Sequence, residues 1–293
     1  MTAATAAHDH PDHQRILEAA TALRMVGMGP DSPASLITAL CDDSVGADEL
    51  ALRIEAQPLL SARVLQVANS PYYGQAKTVA NIRRALLLLG IDVMRRIATA
   101  ACVDQVMPHR IACLPDIAAI LRHSLATAIA GEMLATMTHP LLARDAFLAG
   151  LLHNLGIVLQ ATVDPAGTTA LIAARKTHPA EPIRTLEREY SLLSHEECAR
   201  VLFDAWQLPD CFVESASRHH DLGDSQPEHR VLSSLVCASA SLALSCGNTF
   251  SLEPVAPQTD YAELSELGLY ERHIASVKAE LPERVTLLRG AFG

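Results

Sequence analysis

Between Asp116 and Thr138 the apolar residues Ile117, Ile120, Leu121, Leu125, Ala128, Leu134 and Met137 recur near helical spacing, and this long stretch does most to restrict the fold. The composition points the same way. Only 4% of the residues are aromatic while Ala and Leu dominate, which favours helices packed through small side chains over strands rich in Val, Ile and Tyr. With 293 residues, 49% of them hydrophobic, the chain can bury one large core or two smaller ones. The expected class is all-α.

Helix start and stop signals divide the remainder. A short helix is expected over Ser35 to Cys41, a turn at Asp42, Asp43 and Gly46, and a helix from Ala47 to Glu55. Pro58 opens another, which the Asn69-Ser70-Pro71 step ends because Pro71 cannot continue it; Asn69, Ser70 and Gly74 should form a structural turn over Tyr72 or Tyr73. Asn81 suits an N-cap and Gly90 a C-terminal stop, with a second helix from about Asp92 to Val106. Pro108 to Pro115 reads as the main linker, and Asp116 as the cap of the long helix. A further helix crosses Arg144 to Asn154 and stops near Gly156, and Asp164-Pro165 opens one to about Lys176. Ser194 and Glu197 make a capping box for a helix reaching Trp206, Pro209 starts the next, and Val231 to Ser245 is long and apolar. Thr249 to Gln258 reads as loop, followed by one or two closing helices.

Charge and punctuation also limit function. A net charge of −10 argues against broad nonspecific nucleic-acid binding, which needs excess cation to displace counterions. Arg83, Arg84, Arg95 and Arg96 do lie on a helix, Gly-containing turn, helix pair with the outline of a DNA-binding hairpin; an ordinary hairpin with a solvated basic face is the preferred reading. Apolar runs are interrupted short of the roughly 18 residues of a membrane span. Met1 to His13 has neither a basic start nor an apolar stretch, so a disordered tail is expected rather than a secretory signal. The cysteines at 41, 102, 113, 198, 211, 237 and 246 form no CxxC pair and read as reduced small hydrophobes, in keeping with a cytoplasmic location.

Five histidines sit inside or at the ends of expected helices: His123, His153, His195, His219 and His220. Their contexts carry a resemblance. Ala146 to Gly156, with His153-Asn154, resembles the HD-superfamily core motif, in which one helix carries adjacent His and Asp metal ligands. Arg122-His123-Ser124 resembles the preceding histidine helix, and Glu187 through His195, Trp206-Gln207-Leu208-Pro209 and His219-His220 resembles the later stretch in order and spacing. Farther upstream, Gln57-Pro58-Leu59-Leu60, Val67 to Gly74 and Ile82 to Gly90 resemble an Asp-Pro-X-Leu element, an Asn-Ser-X-Tyr-Gly signature and an Ala-X-X-X-Leu-Gly element. Together these resemble the HDOD family, bacterial signalling relatives of HD phosphohydrolases, over roughly residues 16 to 245. The resemblance implies an N-terminal helical subdomain packed on an HD-like helical domain. The expected organisation is a tail over 1–13, helical parts over 14–107 and 108–247, and C-terminal loop and helices over 248–293.

In catalytic HD enzymes, which the family resembles, histidines and aspartates hold divalent metal that activates water on a phosphate ester. Here Asn154 stands where the aspartate should be, and Val231 to Cys246, where a later aspartate is expected, holds neither Asp nor Glu. No metal or other cofactor is therefore expected, with His123, His153, Asn154, His195, His219 and His220 as the degenerate-site candidates. The resemblance implies a non-catalytic regulatory module acting through signalling partner proteins, in cyclic-dinucleotide or two-component circuits. A small anionic or nucleotide-like ligand in the cleft is the further expectation. The competing readings are a weak metal-dependent phosphohydrolase on a His-rich site and nucleic-acid binding through the Arg83–Arg96 hairpin. No receiver, kinase or diguanylate-cyclase segment is visible, so the output is expected from another polypeptide or a bound ligand.

Overall fold

In the computed structural model the described residues are 33–292 except 72, 75–77, 108–109, 192, 224, 254–264 and 266, together with Arg15 and Glu18. The expected tail over 1–13 and Tyr72 lie outside them. The elements are α1 Pro33–Cys41, α2 Ala47–Glu55, α3 Pro58–Ala68, α4 Ile82–Leu89, α5 Ile91–Val106, α6 Ile117–Thr138 and α7 Ala143–Leu152. They continue as α8 Leu155–Val163, α9 Pro165–Thr177, α10 Ile183–Tyr190, α11 His195–Trp206, α12 Asp210–Arg218, α13 Arg230–Ser245 and α14 Glu271–Phe292. Among the described residues there is no strand, only isolated bridges at Ile111/Leu114 and Phe250/Glu253. The all-α expectation holds.

Several boundaries follow from side-chain chemistry read in the sequence. The Asn81 carboxamide oxygen accepts from Arg84 N at 2.8 Å and starts α4. Asp164 does the same for Gly167 N at 2.8 Å, with Pro165 at the first helical position of α9. At α11 both halves of the Ser194/Glu197 capping box are present. Asp116 departs from expectation: it makes no cap hydrogen bond at α6, because its two oxygens accept from Ser251 N at 2.6 Å and Ser251 Oγ at 2.7 Å instead. Gly156 is not a stop either. The helix breaks at His153-Asn154 and a new one, α8, starts at Leu155 and buries nearly every residue.

The long helix is the hub. α6 packs against α7, α13 and α14, and every residue from His123 to Gly131 is buried. A helix apolar on all sides belongs in a core, and the small residues let its neighbours approach closely. A β-carbon at Gly150 of α7 would stand 3.0 Å from the Ala128 backbone of α6. Ile117–Thr138 and Pro140–Val163 are long and apolar enough to cross a membrane by length and composition, contrary to the sequence expectation. Their most apolar windows are 72% and 94% buried inside this fold, so the apolarity is accounted for by packing.

α5 joins the two halves, packing on α1 and α3 on one side and on α7 on the other. The four arginines expected on a basic hairpin face are divided by this packing. Arg95 is buried, and its guanidinium donates to Leu40 O and Val45 O, both at 2.6 Å, and to Ala39 O at 3.2 Å, satisfying carbonyls left over at the end of α1 and in the turn that follows it. Arg96 is ion-paired with Glu132 on α6. Arg83 lies 3.5 Å from Asp48 and 3.8 Å from Glu55, which leaves Arg84 as an exposed cation on α4. The hairpin is present, turning at Gly90 with φ 82°, but it carries no continuous basic face.

Candidate functional site

Four separate elements deliver the histidines. His123 lies mid-way along α6, His153 directly follows α7, His195 opens α11, and His219 and His220 follow α12. The contact that sets His195 is between α8 and α11. A β-carbon at Gly156 would run into the His195 carbonyl and stand 2.7 Å from Ala199 N, so only glycine lets α8 lie this close. All five rings come together in one chain of contacts. Ring centroids are 5.4 Å apart for His123–His153, 4.9 Å for His153–His219, 5.1 Å for His195–His219 and 4.2 Å for His219–His220.

The second nitrogen of each ring fixes its tautomer. His123 Nδ1 meets Asn248 O at 3.0 Å, His153 Nδ1 meets Gly150 O at 2.7 Å, and His219 Nδ1 meets Ala216 O at 2.8 Å. A carbonyl only accepts, so each Nδ1 carries the hydrogen and each Nε2 keeps a lone pair. His195 differs. Its Nδ1 donates to Glu187 Oε1 at 2.8 Å, and its Nε2 lies 3.2 Å from His219 Nε2, which has only a lone pair to offer. That contact closes as a hydrogen bond when both His195 nitrogens carry hydrogens, in the imidazolium form.

Electrostatics agree with that assignment. Burial disfavours the charge on His195, but Glu187, with help from Glu196 and Glu253, overcomes it and holds the pKa at about 9. Burial lowers His123 to about 4 and drives His153, His219 and His220 well below the ordinary imidazole value. Glu187 is itself lowered, burial being outweighed by His195 and by the hydrogen bonds it accepts. The surroundings thus favour the charged form of His195 and the neutral form of the other four rings.

Glu187 is one of three carboxylates that the sequence reading did not place at this site. Its Oε1 also accepts from His195 N and Gln160 Nε2, each at 2.9 Å. Glu196 accepts from His220 N at 3.0 Å and is ion-paired with Arg184, whose Nε lies 3.2 Å away. Glu253 lies 3.4 Å from His220 Nε2, and burial raises its pKa to about 7. In the sequence Glu187 reads only as the start of the family-like stretch and Glu196 only as part of the capping run, while Glu253 lies in a segment that reads as loop; none reads as a site residue. Asn154 contrasts with all three. It is buried, and neither its Oδ1 nor its Nδ2 has a hydrogen-bond partner; His153 Nε2 is unpaired as well.

Comparison with known proteins places this arrangement. The family model described as HDOD domain matches residues 26–222. The chain belongs to the HDOD family. An HDOD domain protein of unknown function from Geobacter sulfurreducens is 20% identical, with a TM-score of 0.75 over 96% of this chain and 99% of that one. A candidate signal transduction protein from Marinobacter aquaeolei VT8 is 23% identical, with a TM-score of 0.74 over 89% of this chain and 58% of that one. A candidate phosphohydrolase from Shewanella amazonensis SB2B is 20% identical, with a TM-score of 0.69 over 89% of this chain and 93% of that one. An uncharacterized protein of Treponema pallidum is 23% identical over 71% of this chain, which spans 40% of that relative's length. At these identities the solved structures establish the shared HDOD fold.

Proposed function

We propose that this HDOD protein is a non-catalytic regulatory module, acting in the cytoplasm through signalling partner proteins, with a small anionic or nucleotide-like ligand beside the remnant of its HD site. The observation that carries this reading is the state of the donor set. A hydrolytic HD centre needs carboxylate oxygen beside imidazole to anchor a hard cation. At the position after His153 this chain offers a neutral amide, and α13 brings no acidic residue. Glu187, Glu196 and Glu253 lie beside the rings, but the two carboxylates that the HD motif calls for are missing, and no reaction step is assigned to the site. The unpaired amide of Asn154 and Nε2 of His153 suit a neutral polar guest such as a buried water. Partners in cyclic-dinucleotide or two-component circuits fit the module type.

One observation favours the competing phosphohydrolase reading: ring nitrogens of His195, His219 and His220 all lie within 4.8 Å of one another, a spacing that an ion could bridge if His195 lost a proton. Elemental analysis after tag removal and dialysis against a weak chelator separates the two. We expect substoichiometric Fe, Mn, Zn and Ni and no hydrolysis of cyclic dinucleotides, nucleotides or generic phosphodiesters. Asn154→Asp should raise metal affinity without restoring turnover. Near-stoichiometric metal together with turnover that His153→Ala abolishes would overturn the proposal. For nucleic acid, the divided arginines of the α4–α5 hairpin support no binding role.

A further inference from the structure

A cavity of about 380 Å³ opens where α10, the start of α11 and the end of α12 meet, on the far side of the two carboxylates that hold the histidines. Glu187 and Glu196 form part of its wall, and Arg184, Arg188 and Arg218 supply three guanidinium groups. The carboxylates facing them are largely engaged. Glu196 is tied to Arg184 and the His220 amide, and Glu197 accepts from Ser194 N at 2.9 Å within the capping box. Arg184 is also held by Asp221 at 2.5 Å, whereas the exposed Arg188 makes no ion pair among the described residues. A second, independent feature lies at the inner wall. Glu187 is 1% exposed, its Oε1 accepts three hydrogen bonds, and its Oε2 is buried and accepts none. A buried carboxylate oxygen without a donor is costly, and native folds rarely leave one so.

The two features call for different ends of one molecule. Guanidinium groups recognise phosphate and carboxylate through paired N–H donors, whereas Glu187 Oε2 calls for an N–H or O–H. The volume is near the lower end of the roughly 300–1,000 Å³ found for small-molecule sites, which suits a single sugar phosphate or mononucleotide. We propose that this cavity binds a small phosphorylated metabolite that presents a hydrogen-bond donor to Glu187 and its phosphate to Arg188 and Arg218. This deepens the ligand part of the function proposed above and rests on it. Because Glu187 also holds His195, a donor arriving at Oε2 draws on the same carboxylate that keeps His195 charged. Occupancy of the cavity is thereby linked to the histidine cluster.

Calorimetric titration of the full chain with adenosine 5′-monophosphate, guanosine 5′-monophosphate, glucosamine 6-phosphate, adenosine and inorganic phosphate tests this. We expect at least one of the three phosphorylated compounds to bind at least tenfold more tightly than both inorganic phosphate and adenosine. Arg188→Gln and Arg218→Gln should each weaken that binding at least tenfold while leaving the melting temperature within a few degrees. Binding should also shift the ¹⁵N imidazole resonances of His195. Absence of binding by all three, parity with inorganic phosphate, or affinity indifferent to both arginine variants would each overturn the cavity assignment. Phosphate release from the bound compound, assayed in parallel, would instead overturn the non-catalytic reading and leave the cavity assignment standing.

Discussion

Two asparagines at helix ends, Asn69 after α3 and Asn154 before α8, occupy family signature positions in the two halves of the molecule and have opposite surroundings. The Asn69 side chain is fully employed: Nδ2 donates to Leu65 O at 2.7 Å and Val79 O at 2.9 Å, and Oδ1 accepts from Val79 N at 2.7 Å. It pins the loop after α3 back onto the helix end, with Gly74 at φ 56° and Tyr73 packed against the core. Asn154, buried where Asn69 is exposed, satisfies nothing. A polar residue whose every atom is bonded is explained by the fold, whereas one that bonds nothing is not. The N-terminal half thus keeps its signature for architecture, and the HD-like half keeps a site whose polar groups exceed what packing needs.

The contrast makes its largest prediction at the carboxylate that organises the histidines. Glu187→Ala would strand the His195 imidazolium in the core, and losing one partner of a buried pair costs about 3–5 kcal/mol. Urea denaturation should show that loss without a change in slope; a cost below about 1 kcal/mol would mean that His195 is neutral in the fold. Asn69→Ala should come next, at about 2–3 kcal/mol from three lost hydrogen bonds, with partner binding intact in the folded fraction. Unchanged stability with abolished binding would place that turn at an interface instead.

Thermal midpoints measured against pH sharpen the same comparison, since the titrating groups cluster in the HD-like half. The unfolded chain protonates His123, His153, His219 and His220 near pH 6.5, whereas the folded chain resists until far lower, to about 4 for His123. Stability should therefore fall as pH drops below 6.5. His195 has the opposite sign. Its folded pKa of about 9 against 6.5 unfolded gives a contribution that is whole below 6.5 and lost as pH rises through 9. Glu253, raised from 4.5 to about 7, lowers stability as pH rises between those values, and Glu196, also raised by burial, acts in the same direction against the four histidines. A midpoint that peaks near neutrality and declines on both sides is expected; a flat profile from pH 4 to 9 would contradict the assigned charges. The smallest effect belongs to Asn154→Leu. Replacing an unpaired buried amide with an apolar side chain of similar volume should cost less than about 1 kcal/mol or stabilise. A loss several times larger would show that the amide holds a water or ligand the fold depends on.

Most of the helices, though not α8 or α10, were legible because their causes are local. The Asn81 and Asp164 caps, the Ser194–Glu197 box and the apolar spacing of α6 all act within a few residues, so a one-dimensional reading reaches them. The failures were local features with distant partners. Asp116 has the form of a cap, but Ser251 claims its carboxylate, and Gly156 has the form of a stop, but α11 needs it bare. The four arginines read as one basic face until α1 buried Arg95 and α6 paired with Arg96.

The site divides along the same line. Sequence alone singled out the five histidines that come together and the amide that stands beside His153, because both are matters of residue identity in a recognisable order. Only the tertiary structure decided that Glu187, Glu196 and Glu253 join them, that Glu187 favours the charged form of His195 while burial disfavours it in the other rings, and that three arginines share a cavity with Glu187. Charge state depends on burial and on neighbours dozens of residues away in the chain, as His195 and Glu253 are, and no periodicity along the sequence encodes that proximity.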